Sequence, residues 1–315
     1  MNARQANYLL TVKEHGSISL AAEKLYVSQP SLSQTIQNIE RKLNVKIFDR
    51  TKNPISLTYA GEKVIEAAKD ILSANTNLLR EIDEINEESK GRFRIGISTH
   101  RAMHILPKVL PQFMEKYPFV EVEIIEKGSS SMEELIVNGK VDVAFIIVSK
   151  NEHPALKYNL LFQEKMVLLT NKKSAFSLSH LKNEPIDFKE AEKEKFIFLR
   201  KGHGVRTIQD HLFHKSKVKP KAVLETESIE VAKRMAVALD ALTIYPLSML
   251  DEEEIKTGSI RTFPIKGEDA YQNIYLTYDK NMYLTKYMIE FMKLNEEAQK
   301  KKSVILQSIK QINNK

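Results

Sequence analysis

The chain contains no cysteine among its 315 residues. This absence excludes disulfide bonds, thiolate metal sites and cysteine nucleophiles, and it fits a protein of the reducing cytoplasm. The chain also lacks any run of about 18 apolar residues, which is the length that a membrane-spanning helix needs. Its first residues lead into a polar, helix-like stretch instead of an apolar one, so we predict no secretory signal and no membrane partner.

The sequence is equally poor in the motifs that enzymes use. It has no glycine-rich phosphate loop, no histidine pair at metal-ligand spacing and no serine elbow of the hydrolase type. Ser98 and His100 lie close together, but no carboxylate can be assigned to complete a catalytic triad with them. We therefore expect no enzymatic activity, no cofactor and no metal ion.

Positive charge is concentrated near the N-terminus of a chain whose formal net charge is +7. Residues 1–65 contain nine Lys/Arg against five acidic residues, whereas residues 66–91 contain three against seven. A segment of net charge +4 followed by one of −4 is typical of a head that meets phosphates and a connector that does not.

Helical periodicity and capping residues predict three helices before residue 45. Gly16 is expected to end the first helix, Ser19 to cap a short second one, and Ser28 to cap the third, whose first turn tolerates Pro30. Two short helices with small alanines at their crossing and a tight turn satisfy the requirements of a helix-turn-helix. The positions expected to be buried are Tyr8, Leu9, Val12, Ala21, Ala22, Leu25, Leu32, Ile36, Ile39 and Leu43.

The outward face of the third helix carries uncharged hydrogen-bonding side chains. Such groups can recognise donor and acceptor patterns on base edges in a major groove. The alternative is an ordinary solvated face, but the helix-turn-helix context favours DNA contact. The residues concerned are Gln29, Ser31, Ser33, Gln34, Thr35 and Asn38.

A β-hairpin wing is predicted after the third helix, where two short extended runs flank a polar turn that contains a proline. We expect Lys52 at the tip of the wing and Arg50 at its base to meet phosphate or the minor groove. Alternatively, Arg50 pairs with Asp49 or Glu40 and only stiffens the wing.

The N-terminal part of the chain carries a dense, ordered set of motif residues. They are His15-Gly16-Ser17-Ile18-Ser19, Ala21-Ala22-Glu23-Lys24-Leu25, Val27-Ser28-Gln29-Pro30-Ser31-Leu32-Ser33, Ile36, Ile39-Glu40, Leu43, Phe48-Asp49-Arg50, Leu57-Thr58 and Ala60-Gly61. In these residues the chain resembles the LysR-type transcriptional regulators. The resemblance implies a winged helix-turn-helix with its motif near residues 18–37, double-stranded promoter DNA as partner, and DNA contact by Gln29, Pro30, Ser31 and Ser33. Gln34 and Asn53 stand where the family often has arginine, so the preferred operator sequence is expected to differ.

A linker helix is predicted over residues 59–90. Its apolar positions step alternately by four and three residues, a heptad seam that only a polar asparagine interrupts and that predicts a dimer. A second apolar stripe indicates that part of the helix packs on the head, and a single helix packed on its own domain is the alternative. A dimer would present two heads to two half-sites, and the family resemblance implies further assembly into tetramers. The seam consists of Val64, Ala68, Ile71, Asn75, Leu78, Ile82 and Ile85.

Alternating strands and helices predict α/β architecture for the remainder. The resemblance continues over Arg94-Ile95-Gly96-Ile97, Leu106-Pro107, Phe113, Tyr117-Pro118 and Gly139-Lys140-Val141-Asp142. It implies an effector-binding domain at 91–300, similar to periplasmic solute-binding proteins, with lobe I at 92–162 and 268–295 and lobe II at 163–267. The expected fold class is therefore α+β multidomain: a winged helix-turn-helix at 1–58, the linker helix, the two-lobed α/β sensor domain and a basic tail at 301–315.

An effector is expected at the carboxyl ends of the sensor strands, where ligands of open α/β sheets bind. The segments there open helices, whose free N–H groups favour an anion, and Arg101 or Arg206 could add charge. The alternative is that these serines and threonines only cap helices. The predicted effector-binding residues are Ser98, Thr99, His100, Ser129, Ser130, Ser131, Gly202, His203 and Arg206.

Together these features predict a sequence-specific DNA-binding regulator of transcription, an activator or a repressor, controlled by a small and anionic effector held between two lobes. RNA polymerase is a further expected partner. The rival interpretation is a transport binding protein, which the N-terminal head and the missing signal argue against.

Overall fold

The computed structural model describes residues 1–86, 90–147, 152–180, 184–250, 259–267 and 270–313, with side chains except at 129–130 and 301–313. The chain forms two compact units, Met1–Ser89 with Asn281–Thr285 and Lys90–Lys280 with Lys286–Lys315. The predicted boundary between a head and a separate linker helix lies inside the first unit, so that finer division stays a prediction. Among the described helices, none has the length and apolar character to cross a membrane.

The described part of the first unit contains four helices and a two-stranded hairpin, which is the predicted winged helix-turn-helix followed by a long helix. At about 1.5 Å per residue, the 27 residues of the long helix extend about 40 Å. In chain order the elements are α1 (Ala3–His15), α2 (Ile18–Lys24), α3 (Gln29–Leu43), β1 (Phe48–Asp49), β2 (Ser56–Leu57) and α4 (Tyr59–Ile85).

Capping chemistry sets the start of α2, but not at the predicted residue. Ser17 is the N-cap: its backbone is extended and its hydroxyl accepts a hydrogen bond from the N–H of Leu20 at 3.4 Å. Ser19 lies inside the helix, so the prediction that it caps α2 is wrong. Gly16 has a φ of +60° and ends α1, which leaves Ser17 free to take the extended conformation that a cap requires.

The core of the head lies where α1, α2 and α3 meet. Ala21 and Ala22 are buried at the helix crossing as predicted, and Leu32 and Ile36 are fully buried. Leu43 was expected to continue this stripe, but it is 47% exposed because α3 ends there and the chain reverses at Asn44 in the left-handed conformation.

Strands and helices alternate through the second unit, as the sequence pattern predicts. The strands are β3 (Gly91–Ile97), β4 (Val120–Glu126), β5 (Val143–Ile147), β6 (Leu156–Asn171), β7 (Lys195–Leu199), β8 (Lys221–Thr226), β9 (Thr243–Pro246), β10 (Ile260–Pro264) and β11 (Tyr271–Asp279). The helices are α5 (Thr99–Lys116), α6 (Ser129–Val137), α7 (Ala175–Ser179), α8 (Gly204–Ser216), α9 (Ile229–Ala238) and α10 (Lys286–Asn313).

The long strand β6 connects two halves of this unit. Its first part pairs antiparallel with β11, which in turn pairs with β5, and β5 continues through parallel pairing to β3 and β4. Its last part pairs instead with β9 and β10. Strands β7 and β8 pair in parallel, and an isolated bridge joins Phe196 to Leu242 next to β9. Each half therefore has its own strands, while β6 and β11 cross between them.

Each half also has its own hydrophobic core, which makes the two halves lobes in the predicted sense. Phe93 packs against Phe113 and Phe291 in the first lobe, with ring centroids 5.9 and 5.1 Å away. Phe196 and Phe213 pack at 4.8 Å in the second. The predicted fold class, a winged helix-turn-helix with a two-lobed α/β domain, is confirmed.

Candidate nucleic-acid interface and ligand cavity

The N-terminal turns of α3 form a polar, accessible surface. The side chain of Ser28 caps the helix by accepting a hydrogen bond from the N–H of Ser31 at 3.4 Å. Pro30 occupies the first turn, where its missing N–H is not needed. Of the predicted DNA-contacting side chains of α3, five are exposed and two half-buried. The exposed ones are Gln29, Pro30, Ser31, Gln34 and Asn38, and the half-buried ones are Ser33 and Thr35.

Hydrogen bonds within α3 show which of these side chains are engaged by their own helix and which remain available to a partner. The hydroxyl of Thr35 donates to the backbone carbonyl of Ser31 at 2.9 Å, so it is engaged inside its own helix. Gln34 donates to Asn38 at 3.2 Å across an exposed face, where water or DNA can replace that bond. Gln29 and Ser33 are four residues apart and share one helix face. The side chains of Gln29 and Ser33 therefore lie next to each other along α3.

Arg50 at the base of the wing pairs with a buried carboxylate. Glu40 is 3% exposed and accepts a hydrogen bond from the N–H of Ile47 at 2.8 Å. Arg50 Nη2 lies 3.3 Å from the same carboxylate, which is one of the two pairings that the sequence left open. Lys52 Nζ lies 3.8 Å from Asp49 and the lysine side chain is 67% exposed. Arg50 thus stiffens the wing, while Lys52 at its tip stays accessible.

The second half of α4 presents apolar side chains at its surface. Leu78, Leu79, Ile82 and Ile85 are 55%, 55%, 43% and 73% exposed. Three of the four belong to the predicted dimerisation seam. Ala68 of the same seam is fully buried within this chain, so it is not accessible to a second chain. Val64 and Ile71 are half-buried, and Asn75 is exposed.

An asparagine that the seam pattern did not mark connects α4 to residues 281–285 of the first unit. Asn77 donates to the carbonyl of Asn281 at 2.8 Å and accepts from the N–H of Tyr283 at 2.9 Å. The hydroxyl of Tyr283 donates to Glu84 at 2.8 Å. These bonds hold the 281–285 segment along about two turns of α4. Nothing local in the sequence could have predicted them, because the partners are about 200 residues apart.

A cavity of about 610 Å³ opens between the two lobes of the second unit. Its wall consists of segments 98–100 and 126–128 from the first lobe and 200–203 and 227–230 from the second, together with Met103. Ser98, Thr99, His100, Gly202 and His203 were all predicted here and all line it. Lining residues that the sequence did not lead us to expect are Met103, Glu126, Lys127, Arg200 and 227–230. Ser228 comes soon after the end of β8, so it satisfies the same carboxyl-end rule.

Four helices begin at this cavity: α5, α6, α8 and α9. The ring of His203 caps α8 by accepting from the N–H of Val205 at 3.2 Å, and Ser228 caps α9 by accepting from Val231 at 3.3 Å. For α5 and α6, whose N-caps are Ser98 and Gly128, no described side chain makes a capping bond. The first N–H groups of a helix carry partial positive charge, so the cavity wall contains uncapped donors of the kind that bind anions.

The two histidines of the cavity are neutral at physiological pH. Burial, followed by the nearby His104, lowers the pKa of His100 to about 4. Burial, followed by the positive charge of Arg101, lowers the pKa of His203 to about 4. His100 Nε2 lies 2.9 Å from the hydroxyl of Tyr245, a contact from the first lobe to the second. Both rings therefore serve as hydrogen-bonding groups and not as cations.

Charged side chains of both signs surround the opening. Arg200 and Glu227 pair at 2.5 Å, and Glu230 pairs with Lys233 at 2.9 Å. After these pairings, Lys127, Lys201 and Glu126 are the remaining charged side chains of the lining. The partial positive charge of the helix N-termini adds to that of the two lysines.

The arginines considered for the effector have other partners. Arg101 is 5% exposed and pairs with the buried Glu164 at 3.0 Å. Arg206 bonds Asp210 and Glu225, each at 2.7 Å, and lies outside the lining of the cavity. Both arginines are held in ion pairs within the fold, and the prediction that Arg206 lines the cavity is wrong.

The serines in the first turn of α6 contribute less to the cavity than expected. The hydroxyl of Ser131 donates to the carbonyl of Gly128 at 3.0 Å, and Ser131 is not part of the cavity wall. The side chains of Ser129 and Ser130 fall outside the described side chains. Gly128 itself lines the cavity, so this segment contributes backbone to the wall.

Both units of the chain match known protein families. Residues 3–62 match the family described as "Bacterial regulatory helix-turn-helix protein, lysR family", and residues 86–299 match the "LysR substrate binding domain". The HTH-type transcriptional regulator YcgK of Bacillus subtilis (strain 168) is 28% identical over 318 residues, which cover 95% of each chain.

Solved structures share the fold over nearly the whole chain. A full-length OxyR variant from Pseudomonas aeruginosa superposes with a TM-score of 0.71 at 19% identity, covering 94% of each chain. Full-length CbnR complexed with its target DNA superposes with a TM-score of 0.56 at 22% identity, covering 94% of this chain and 99% of that one.

Proposed function

Because the chain belongs to the LysR family of transcriptional regulators, we propose that it switches transcription when a small anion binds between its two lobes. Membership of the family makes it a DNA-binding transcriptional regulator with an effector-binding domain. The proposal specifies which side chains contact DNA and what charge the effector has. It also specifies how effector binding changes transcription.

The DNA-contacting surface of this proposal is the exposed N-terminal face of α3, with the wing beside it. Gln29 and Ser33 recognise base edges in the major groove, with Pro30, Ser31, Gln34, Thr35 and Asn38 around them. Lys52 at the tip of the wing meets phosphate, and Arg50 supports the wing through Glu40. CbnR, which shares this fold, has been solved in complex with its target DNA, and this supports DNA binding by the fold.

Replacing Gln29 with alanine tests the base contact. A bidentate contact to a base contributes about 1–3 kcal/mol, so Gln29→Ala should weaken binding to DNA from the region upstream of its own gene about 5- to 150-fold in a gel-shift titration. Gln163→Ala removes another exposed glutamine, on β6, and serves as the matched control. Equal affinity of the two variants for that DNA would contradict the proposed contact.

The effector of this proposal is an anion such as a small carboxylate, held by Ser98, Thr99, Gly202 and the two neutral histidines. One observation supports it most: four helix N-termini meet at one cavity and two of them have no side-chain cap. A carboxylate placed there would accept hydrogen bonds from backbone N–H groups, which are fixed donors. Lys127 and Lys201 add positive charge at the opening.

Thermal shift with pairs of metabolites tests the sign of the charge. Each carboxylic acid of a panel is compared with its neutral amide, and the acid should raise the unfolding temperature more. A ligand at a hundred times its Kd adds about 2.7 kcal/mol of apparent stability. Ser98→Ala should reduce the shift without loss of a cap, since Ser98 makes none, and Ser131→Ala outside the cavity should leave it unchanged. Amides that stabilise as well as acids would refute an anionic effector.

The proposal also includes a dimer formed through the exposed apolar side chains of α4, and a tetramer built from such dimers. Two heads on one scaffold bind two half-sites with combined affinity. Closure of the lobes on the effector then changes the spacing of paired heads, the bend of the DNA and the access of RNA polymerase. We place this activity in the cytoplasm, without enzymatic turnover. Footprints that stay identical with and without a bound effector would reject the switching step.

A further inference from the structure

The turn between α2 and α3 has the geometry of a glycine-terminated helix but contains a tyrosine. The N–H of Tyr26 donates to the carbonyl of Glu23 at 3.1 Å, and the N–H of Val27 donates to that of Ala22 at 3.0 Å. This pair of bonds is the Schellman motif, which requires a left-handed residue directly after the cap. That residue is Tyr26, with a φ of +54°.

A tyrosine is an unfavourable choice at this position. Left-handed backbone brings the Cβ of an L-residue close to the following carbonyl oxygen, which is why glycine, and sometimes asparagine, usually occupies it. The ring of Tyr26 does not offset this strain through packing, because the side chain is 96% exposed. Neither the core of the head nor any hydrogen bond among the described residues involves the phenol. The folded head on its own therefore gains nothing from this side chain.

The position of the turn next to α3 indicates a role for the Tyr26 side chain. Tyr26 stands two residues before the cap of α3 and three before Gln29, a distance of at most about 10 Å along the chain. When the first turn of α3 lies in the major groove, the residues that lead into this helix lie at the edge of the groove, next to the sugar–phosphate backbone. Tyrosine hydroxyls are among the groups that donate to phosphate oxygens, and such a bond is strengthened by the charge of the acceptor.

We propose that Tyr26 is a DNA-contacting residue whose hydroxyl donates to a backbone phosphate at the edge of the groove that α3 enters. The inference rests on the proposed seating of α3 in that groove. Because the acceptor is a phosphate, the contact adds affinity for any duplex and does not choose the sequence. Because the donor is neutral, it releases no counterion and leaves the salt dependence of binding unchanged.

Two substitutions in the full-length chain separate the hydroxyl from the backbone strain. Tyr26→Phe removes only the hydroxyl, and Tyr26→Asn also relieves the left-handed strain. Both variants should bind DNA about tenfold more weakly than the unchanged chain. The factor should be the same for the upstream DNA and for an unrelated duplex of equal length. The slope of affinity against salt concentration should not change. Tyr26→Asn should unfold at the same temperature as the unchanged chain or at a higher one. Tyr271→Phe, which removes the hydroxyl of a 39% exposed tyrosine on β11, should change none of these quantities.

The outcomes distinguish this inference from the seating on which it rests. If Gln29→Ala weakens binding and Tyr26→Phe does not, the phosphate contact is refuted while the seating stands. If Tyr26→Phe weakens binding only to the upstream DNA, Tyr26 recognises bases and the proposal is wrong in its chemistry. If Gln29→Ala and Tyr26→Phe both bind DNA as tightly as the unchanged chain does, the proposed seating of α3 in the groove is wrong, and so is the inference that rests on it. A Tyr26→Asn variant that unfolds at a lower temperature would show that the tyrosine serves the fold.

Discussion

Replacing Glu40 with alanine should loosen the wing on α3, because this carboxylate joins the helix to the start of the wing through hydrogen bonds and ion pairs. Glu40 lies on α3, is 3% exposed, and accepts from the N–H groups of Ile47 at 2.8 Å and Phe48 at 3.4 Å. It also pairs with Arg50 at 3.3 Å and lies 3.8 Å from Lys46. The variant leaves two backbone donors and two cations without this acceptor, at the point where the chain leaves the helix for the wing.

The magnitude follows from these contacts. A buried donor left unpaired costs about 1–3 kcal/mol, and this applies fully to Ile47 and only in part to the longer bond of Phe48. Arg50 is 35% exposed and Lys46 79%, so water replaces their partner and they add less than about 1 kcal/mol between them. The free energy of unfolding of the head should therefore fall by about 2–4 kcal/mol. Glu40→Gln keeps one acceptor and the shape of the side chain, and should cost roughly half as much.

Hydrogen exchange in the full-length chain is the appropriate assay. Two compact units make a single global free energy of unfolding ill-defined, whereas peptides from α1 and α3 report the head alone. Exchange of their protected amides should accelerate about 30- to 1,000-fold in Glu40→Ala, since each 1.4 kcal/mol corresponds to a factor of ten. Lys52→Ala, at the exposed tip of the wing, is the control and should not change it. Equal exchange rates in Glu40→Ala and Lys52→Ala would refute the assignment of Glu40 as the anchor of the wing.

Three further predictions concern the second unit and α4. Asp142 is 2% exposed and pairs with an arginine of β3 at 2.8 Å, so Asp142→Ala should lower the stability of the sensor domain by about 3–5 kcal/mol in urea titrations followed by hydrogen exchange. The pKa values of His100 and His203 lie near 4 in the folded chain, below the ordinary value of 6.5, so the folded state binds fewer protons between those limits. The stability that these neutral rings contribute should be complete above about pH 6.5 and should be lost as the pH falls towards 4, in thermal melts across that range. Exchanging Leu78 and Ile82 together for glutamate should convert the proposed dimer to monomer in sedimentation velocity, because the apolar seam becomes charged.

Each of these three has an internal control. Arg92→Gln breaks an exposed ion pair with Glu123 and should change stability by less than about 1 kcal/mol, unlike the change at Asp142. Exchanging both histidines for glutamine should flatten the acid limb of the pH profile, and an unchanged limb would contradict the pKa assignment. Asp83→Lys changes charge on α4 outside the seam, so a monomer in this variant would point away from an apolar interface.

Patterns along the chain were sufficient for the elements and for most of the polar face of α3. The small residues Ala21 and Ala22, the cap at Ser28 and the alternating strands each express a local preference. Helix α3 starts where predicted, the strands and helices of the second unit alternate as predicted, and α2 starts two residues earlier than predicted. The carboxyl-end rule for α/β sheets also located five of the residues that line the cavity. These successes share a cause, since helical periodicity, capping and strand alternation involve residues a few positions apart.

Pairings between distant residues could not be obtained in this way. Arg101 and Arg206 look alike as available cations, yet Arg101 is buried against Glu164, 63 positions away, and Arg206 is held by Glu225, 19 positions away. Whether Arg50 meets Glu40 or DNA depends on where the wing folds back, and Asn77 finds its partners about 200 residues later. A charge or amide is free for a ligand only if folding leaves it without a closer partner, and packing of the whole chain sets that outcome.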